Sequence, residues 1–137
     1  MVHALHEAHR VLKPSGVLID LRPAPKHRQA GLGVGADFQS LGVMREDFTD
    51  DRAANSAVAH VLRERLFRRA FRLEFDLDRV MDSLDDFREW LDDFGSPEMA
   101  PSHEWLFKRL ERAVQRAGPG YRITVRGPLI LGVLRET

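Results

Sequence analysis

Leu5-His6-Glu7-Ala8-His9-Arg10-Val11-Leu12-Lys13-Pro14-Ser15-Gly16-Val17-Leu18-Ile19-Asp20-Leu21 holds a helix end, a tight turn and an apolar strand in one short stretch. Pro14 has no N–H to donate and biases Lys13 away from helical angles, so a helix that buries Leu5, Ala8 and Leu12 stops here. Gly16 frees the turn. Val17, Leu18, Ile19 and Leu21 then form a nearly continuous apolar run. That is the pattern of a strand covered on both faces, central in a sheet flanked by helices.

Outward from this stretch, Val2 to Leu12 reads as the first helix and Gly16 to Leu21 as the first strand. Arg22-Pro23-Ala24-Pro25 takes the chain out of the sheet, because proline is poorly tolerated in a central strand. Lys26 to Gly35 has the composition of a loop, and Phe38 to Met44 reads as a short strand with Leu41 and Val43 on one face. Thr49 or Asp50 caps a helix in which Ala54, Ala57, Val58, Val61, Leu62 and Leu66 recur at helical steps, ending near Arg69. Phe71, Leu73, Phe75 and Leu77 alternate with Arg72, Glu74, Asp76 and Asp78, the signature of an edge strand with one wet face.

Ser83 with Asp86 three residues on makes a capping-box-like start before Leu84, Phe87, Leu91 and Phe94, a helical stripe that closes at Gly95. A loop with Pro97 and Pro101 follows. Ser102 then caps a helix facing inward through Leu106, Leu110, Ala113 and Ala117 and ending at Gly118-Pro119. Tyr121, Ile123 and Val125 alternate with polar residues, and Gly127-Pro128 signals the turn of a hairpin. Its second arm, Leu129 to Leu134, is apolar enough to lie inside the sheet beside Val17 to Leu21.

The run Leu5-x-Glu7-x-x-Arg10-Val11-Leu12-Lys13-Pro14-x-Gly16-x-Leu18-Ile19 resembles the segment entering the fifth strand of class I S-adenosylmethionine-dependent methyltransferases. That family usually reads Arg-Val-Leu-Lys-Pro-Gly-Gly, so Ser15 stands where its first glycine would be. The resemblance extends in outline from Val2 to Arg135, with Asp37 to Phe94 longer than the minimal fold. It implies an α/β chain carrying a partial Rossmann-like methyltransferase fold: a mixed sheet with a terminal antiparallel hairpin, flanking helices, and the last strand slotted between the fifth and sixth. In the family the cofactor loop, an acid followed by Gly-x-Gly-x-Gly, lies far before this point. The resemblance therefore implies a C-terminal half without catalysis of its own. It expects no cofactor for the isolated chain and S-adenosylmethionine for the full-length family. The outer edge of Val17 to Leu21, which in the family pairs with a fourth strand, is left open and asks for a cover. A second copy or one of the chain's own irregular segments would supply it, and the partner expected is a second copy or the missing N-terminal half.

Composition narrows the alternatives. A chain of 137 residues is one domain's worth, 1–137. Lys and Arg number 21 and so do Asp and Glu, so no overall basic field recruits nucleic acid. With no cysteine, disulfides, thiolate zinc sites and iron–sulfur clusters are excluded. No apolar run spans a bilayer and the N-terminal stretch is not that of a signal peptide, which points to the cytoplasm and away from a membrane.

Four features could carry chemistry. Gly31-Leu32-Gly33-Val34-Gly35 matches a phosphate cradle in composition, but it neither follows a strand directly nor opens a clear helix, and it reads as a flexible loop. His3, His6 and His9 share a helix, yet no carboxylate is placed to complete a ligand set, and no metal is expected. Asp20, Arg22, Lys26 and His27 follow the carboxyl end of the first strand, where open α/β sheets bind ligands. In the methyltransferase family this region borders the substrate pocket, which makes these four the candidate pocket residues; the alternative is that Asp20 pairs with a nearby arginine. The block Arg63, Arg65, Arg68, Arg69 and Arg72 precedes a block of acids from Glu74 to Asp93. The two either attract each other across a turn, at about 0–1 kcal/mol per pair, or meet between chains and set a dimer's register. No Ser-His-Asp set can be assigned, so the catalytic residues stay unknown. A homodimeric interaction module and an enzyme whose cofactor site another chain completes are the other two functional readings.

Overall fold

Pro14 ends the first helix, α1 (Val2–Val11), where the sequence places the break, and the turn after it closes on a 2.8 Å hydrogen bond from the Gly16 N–H to the Lys13 carbonyl. Ser15 in that turn has φ of 67°, a left-handed conformation that favours glycine. Ser15→Gly is therefore expected to raise stability by about 0.5–1 kcal/mol. Urea unfolding measures it, and a loss of stability would contradict the strain.

A computed structural model describes residues 1–94 and 100–137. Beyond α1 these residues form β1 (Val17–Pro23), β2 (Gln29–Leu32), β3 (Gln39–Val43), α2 (Thr49–Arg63), β4 (Phe67–Met81), α3 (Leu84–Phe94), α4 (Ala100–Ala117) and β5 (Ile123–Glu136). The protein is α/β. The sheet is open and antiparallel, in the order β1-β5-β2-β3 with β4 also paired to β5, rather than mixed. No helix among the described residues is long and apolar enough to cross a membrane.

The chain divides into two compact units. The first comprises Met1–Lys26, Asp47–Phe75 and Pro128–Thr137. Here β1 pairs antiparallel with the C-terminal part of β5, from Val17↔Arg135 to Pro23↔Leu129, so the two apolar segments near the chain's ends are neighbours as expected. Leu18, opposite Leu134, joins α1 and α2 over a core of Leu5, Ala57, Val58, Val61, Phe67 and Leu134. The His9 ring meets the Phe67 ring edge-on at 5.2 Å.

Coverage of β1 on both faces does not hold. Val17, Ile19 and Leu21 are exposed, Ile19 at 64%. The helices pack on the face that carries Leu18, and residues of the opposite parity have no layer above them among the described residues.

The second unit comprises His27–Glu46 and Asp76–Gly127. In it β2 lies between β3 and residues Ile123–Arg126 of β5. The core is Ala30, Met44, Met81, Phe87, Leu91, Leu106, Leu110, Ile123 and Val125. Phe87 is fully buried, its ring stacked with those of Phe107 at 6.4 Å and Trp90 at 6.1 Å.

Several sequence expectations change for identifiable reasons. The stretch Lys26 to Gly35 is not all loop, because it contains β2, whose Ala30 and Gly31 are buried. The hairpin at Gly127-Pro128 does not form, since β5 runs straight through it. On the β1/β2 side, residues 127 and 128 fall between the two ladders, so the missing proline N–H costs no bond there, and the Pro128 carbonyl accepts from the Ala24 N–H at 2.9 Å.

Helix α2 stops at Arg63, not Arg69. Arg65 takes a left-handed φ of 59°, while the Leu66 N–H bonds the Val61 carbonyl and the Arg65 N–H bonds that of Leu62. This is a Schellman end built on arginine instead of glycine, with Leu66 packed back on the core. At its start Phe48 is the cap residue, and the Asp47 carboxylate accepts from the Thr49 N–H and hydroxyl.

Strand β4 is longer than its alternating segment, and Phe71, Leu73 and Leu77 are exposed while Phe67 and Met81 at its two ends are buried. Ser83 Oγ accepts from the Asp86 N–H at 3.0 Å, as the capping box predicts. Helix α4 begins at Ala100, so Pro101 sits in its first turn and Ser102 is not the cap. Gly95 and Pro97 lie outside the described residues.

The arginine and acid blocks do not zip together. Arg72 reaches Glu74 at 3.7 Å, but Glu74 is held closer by Lys26, and Asp78 and Asp82 pair with Arg126 and Arg122 of the last strand and its approach.

Candidate functional site

The four candidate pocket residues separate into three local arrangements. Asp20 and Arg22 lie two apart on β1 and so share the face beneath α2. Arg22 Nε donates to both Asp20 oxygens, at 3.1 and 2.9 Å, and its guanidinium also bonds Asn55 Oδ1 of α2. The two charged side chains are 11% and 12% exposed.

Gly132 stands opposite Asp20 in the ladder, and a Cβ there would lie 3.3 Å from the carboxylate. The gap in the apolar run of β5 is thus the space the acid needs. With its charge balanced and its geometry fixed, the pair holds α2 onto the strand. The alternative reading of Asp20, as the partner of a nearby arginine, is what the geometry shows.

Lys26 is exposed and bonds Glu74 at 2.7 Å, and that contact holds the Glu74 carboxyl below its ordinary value. His27 belongs to the second unit, where its Nδ1 accepts from the Glu46 N–H at 3.2 Å. The Glu46 carboxylate is clamped by the Arg28 N–H at 2.8 Å and by the Arg28 guanidinium.

The glycine run is structural. A Cβ on Gly31 would sit 1.9 Å from the Gln39 carbonyl oxygen and one on Gly33 2.3 Å from that of Asp37, so close backbone approach requires both. Only a short 3-10 turn, Gly35–Asp37, follows, which offers no helix N-terminus to a phosphate.

That turn is pinned by a polar network. Arg126 binds Asp78 through Nε at 2.7 Å and Nη2 at 2.8 Å, donates from Nη2 to the Gly35 carbonyl, and lies 4.3 Å over the Phe38 ring. Asp78 in turn accepts from the Gly35 N–H at 3.1 Å. The Arg126 bonds hold the Asp78 carboxyl below its ordinary value against the opposing effect of burial. His103, buried at the start of α4, is pushed below its ordinary value chiefly by desolvation.

Sequence reasoning passed over one feature of the second unit, a groove of about 450 Å³ beside α4. Trp105, Lys108, Arg109, Arg112 and Arg116 recur along it at helical steps, with Leu41 of β3 at its wall. The signal was the spacing, a basic stripe on the polar face of an amphipathic helix. Such a lining suits an anion, since guanidinium groups bind carboxylates and phosphates through paired hydrogen bonds.

Compared with protein-family models, curated proteins and solved structures, the chain matches none.

Proposed function

We propose that this chain is the C-terminal half of a Rossmann-like class I S-adenosylmethionine-dependent methyltransferase fold, the half bordering substrate, and that it lacks catalysis without a cofactor-binding half. The observation that carries this reading is the strand order of the first unit: the last strand, β5, lies between β1 and β4, antiparallel to β1, directly after the Arg10-Val11-Leu12-Lys13-Pro14-x-Gly16 turn. The left-handed Ser15, at a position where the family carries glycine, supports it as well. The glycine run of this chain is committed to backbone packing, so the reading places the cofactor loop outside residues 1–137. Asp20 and Arg22 then position the strand end at the substrate side.

Calorimetry tests this. S-adenosylmethionine should give no saturable heat with residues 1–137 alone, and translation of the coding DNA upstream should show an acid followed by Gly-x-Gly-x-Gly in frame or in a neighbouring gene. Stoichiometric binding to the isolated chain would overturn the assignment of the cofactor site.

A second reading, a homodimeric interaction module, is favoured by one feature. β1 ends the sheet, with Val17, Ile19 and Leu21 exposed along it. Sedimentation showing a monomer at every concentration would remove it.

A further inference from the structure

We propose that His6, His60 and Glu64 form a site for a divalent transition metal of the zinc class, bridging α1 and α2 within the first unit. His60 and Glu64 are four residues apart, one helical turn, so both project from the same side of α2 and its C-terminal end. His6 comes from α1, where no carboxylate of its own helix completes a ligand set. The fold brings the missing partners to it.

His6 Nε2 lies 2.8 Å from Glu64 Oε2 and His60 Nε2 lies 3.2 Å from Glu64 Oε1, and the ligand atoms of all three residues fall within 4.8 Å of one another. Zinc bonds of about 2.0–2.2 Å at tetrahedral angles put ligand atoms roughly 3.3 Å apart, so small side-chain adjustments bring three ligands onto one ion. The backbone beneath is firm: Leu5 and Val61, neighbours of His6 and His60, are both buried in the core of this unit.

Two imidazoles and one carboxylate suit zinc, nickel, cobalt or copper better than magnesium or calcium, which take oxygen ligands. His6 and Glu64 are exposed and His60 is half-buried, so an ion and a completing water can reach the site. Without metal, the same contacts would be two histidine–carboxylate bonds and nothing more. Metal titration separates the two cases.

The experiment is a zinc titration of the tag-free chain at pH 7.5, followed by calorimetry and by the thermal midpoint. One equivalent should bind and raise the midpoint, because a ligand held only by the folded state stabilises it. His6→Gln and His60→Gln should each weaken binding at least about tenfold, with His3→Gln and His27→Gln unchanged and magnesium without effect. Circular dichroism confirms that each variant is folded. No saturable zinc binding, or binding unaffected by His6→Gln and His60→Gln, would overturn the proposal. So would one zinc per two chains, which would place the ion between copies.

Discussion

Gly31→Ala is expected to cost about 3 kcal/mol or more and to leave the second unit unfolded or rearranged. The added methyl would lie 1.9 Å from the Gln39 carbonyl oxygen and 2.8 Å from its carbon, which are backbone atoms that no rotamer change can move. Gly31 is also the residue at which the β2–β3 register shifts, between the Ala30↔Gly42 and Gly31↔Ser40 pairs. Relief would require β3 to leave its partner, and β2 would then lose one of its two neighbours. Gly35→Ala gives the internal control, since a Cβ there meets nothing within 4 Å and costs only its positive φ. Urea denaturation of both variants checks the contrast. Equal, small losses would mean that the glycine run is the flexible loop its composition suggests.

Phe87→Ala is expected to cost about 3–5 kcal/mol, the range for deleting a fully buried aromatic. The ring is central to the core formed by Ala30, Met44, Leu106, Leu110, Ile123 and Val125, and it stacks with Trp90 and Phe107. Those two rings are only half-buried, so collapse onto the vacancy would drag Arg88 from its position 3.6 Å over Phe107 and from its 2.9 Å contact with Glu104. Phe87→Leu should recover much of the loss by filling most of the volume. A denaturation midpoint for the alanine variant within error of the parent would show that this residue is not the core's centre.

The parts of the fold legible in the sequence are those set by local chemistry. Pro14 stops α1, Ser83 caps α3, Gly118 ends α4, and the apolar segments 17–21 and 129–134 find each other as paired strands. The misreadings came where tertiary context outweighed a local signal. Gly127-Pro128 has turn composition, but its place between two ladders makes the proline harmless in a continuous strand. Arg65 ends α2 in the conformation usually given to glycine, so nothing in its residue type announced the stop. β2 was hidden because its buried residues are Ala30 and Gly31, too small to give a periodic apolar pattern.

The candidate site divides in the same way. The Asp20–Arg22 pair was readable from two residues of one strand, whereas the third member, Asn55, required α2 to be placed. His60-x-x-x-Glu64 carries a helical-turn spacing visible in sequence, but only tertiary structure adds His6. The basic stripe on α4 is overshadowed by the denser arginine block at 63–72, in which, among the described residues, only Arg72 reaches an acid.

The central strand of the first unit comes after every other segment of that unit along the chain. On the ribosome, β1 emerges early with its apolar side chains and must wait for residues 128–137 before any ladder can close, so α1 and α2 have only each other to shelter their inner surfaces meanwhile. A nascent chain of this design cannot complete its first unit until residues 128–137 have emerged, and a frameshift or stop before them would release that unit without its middle.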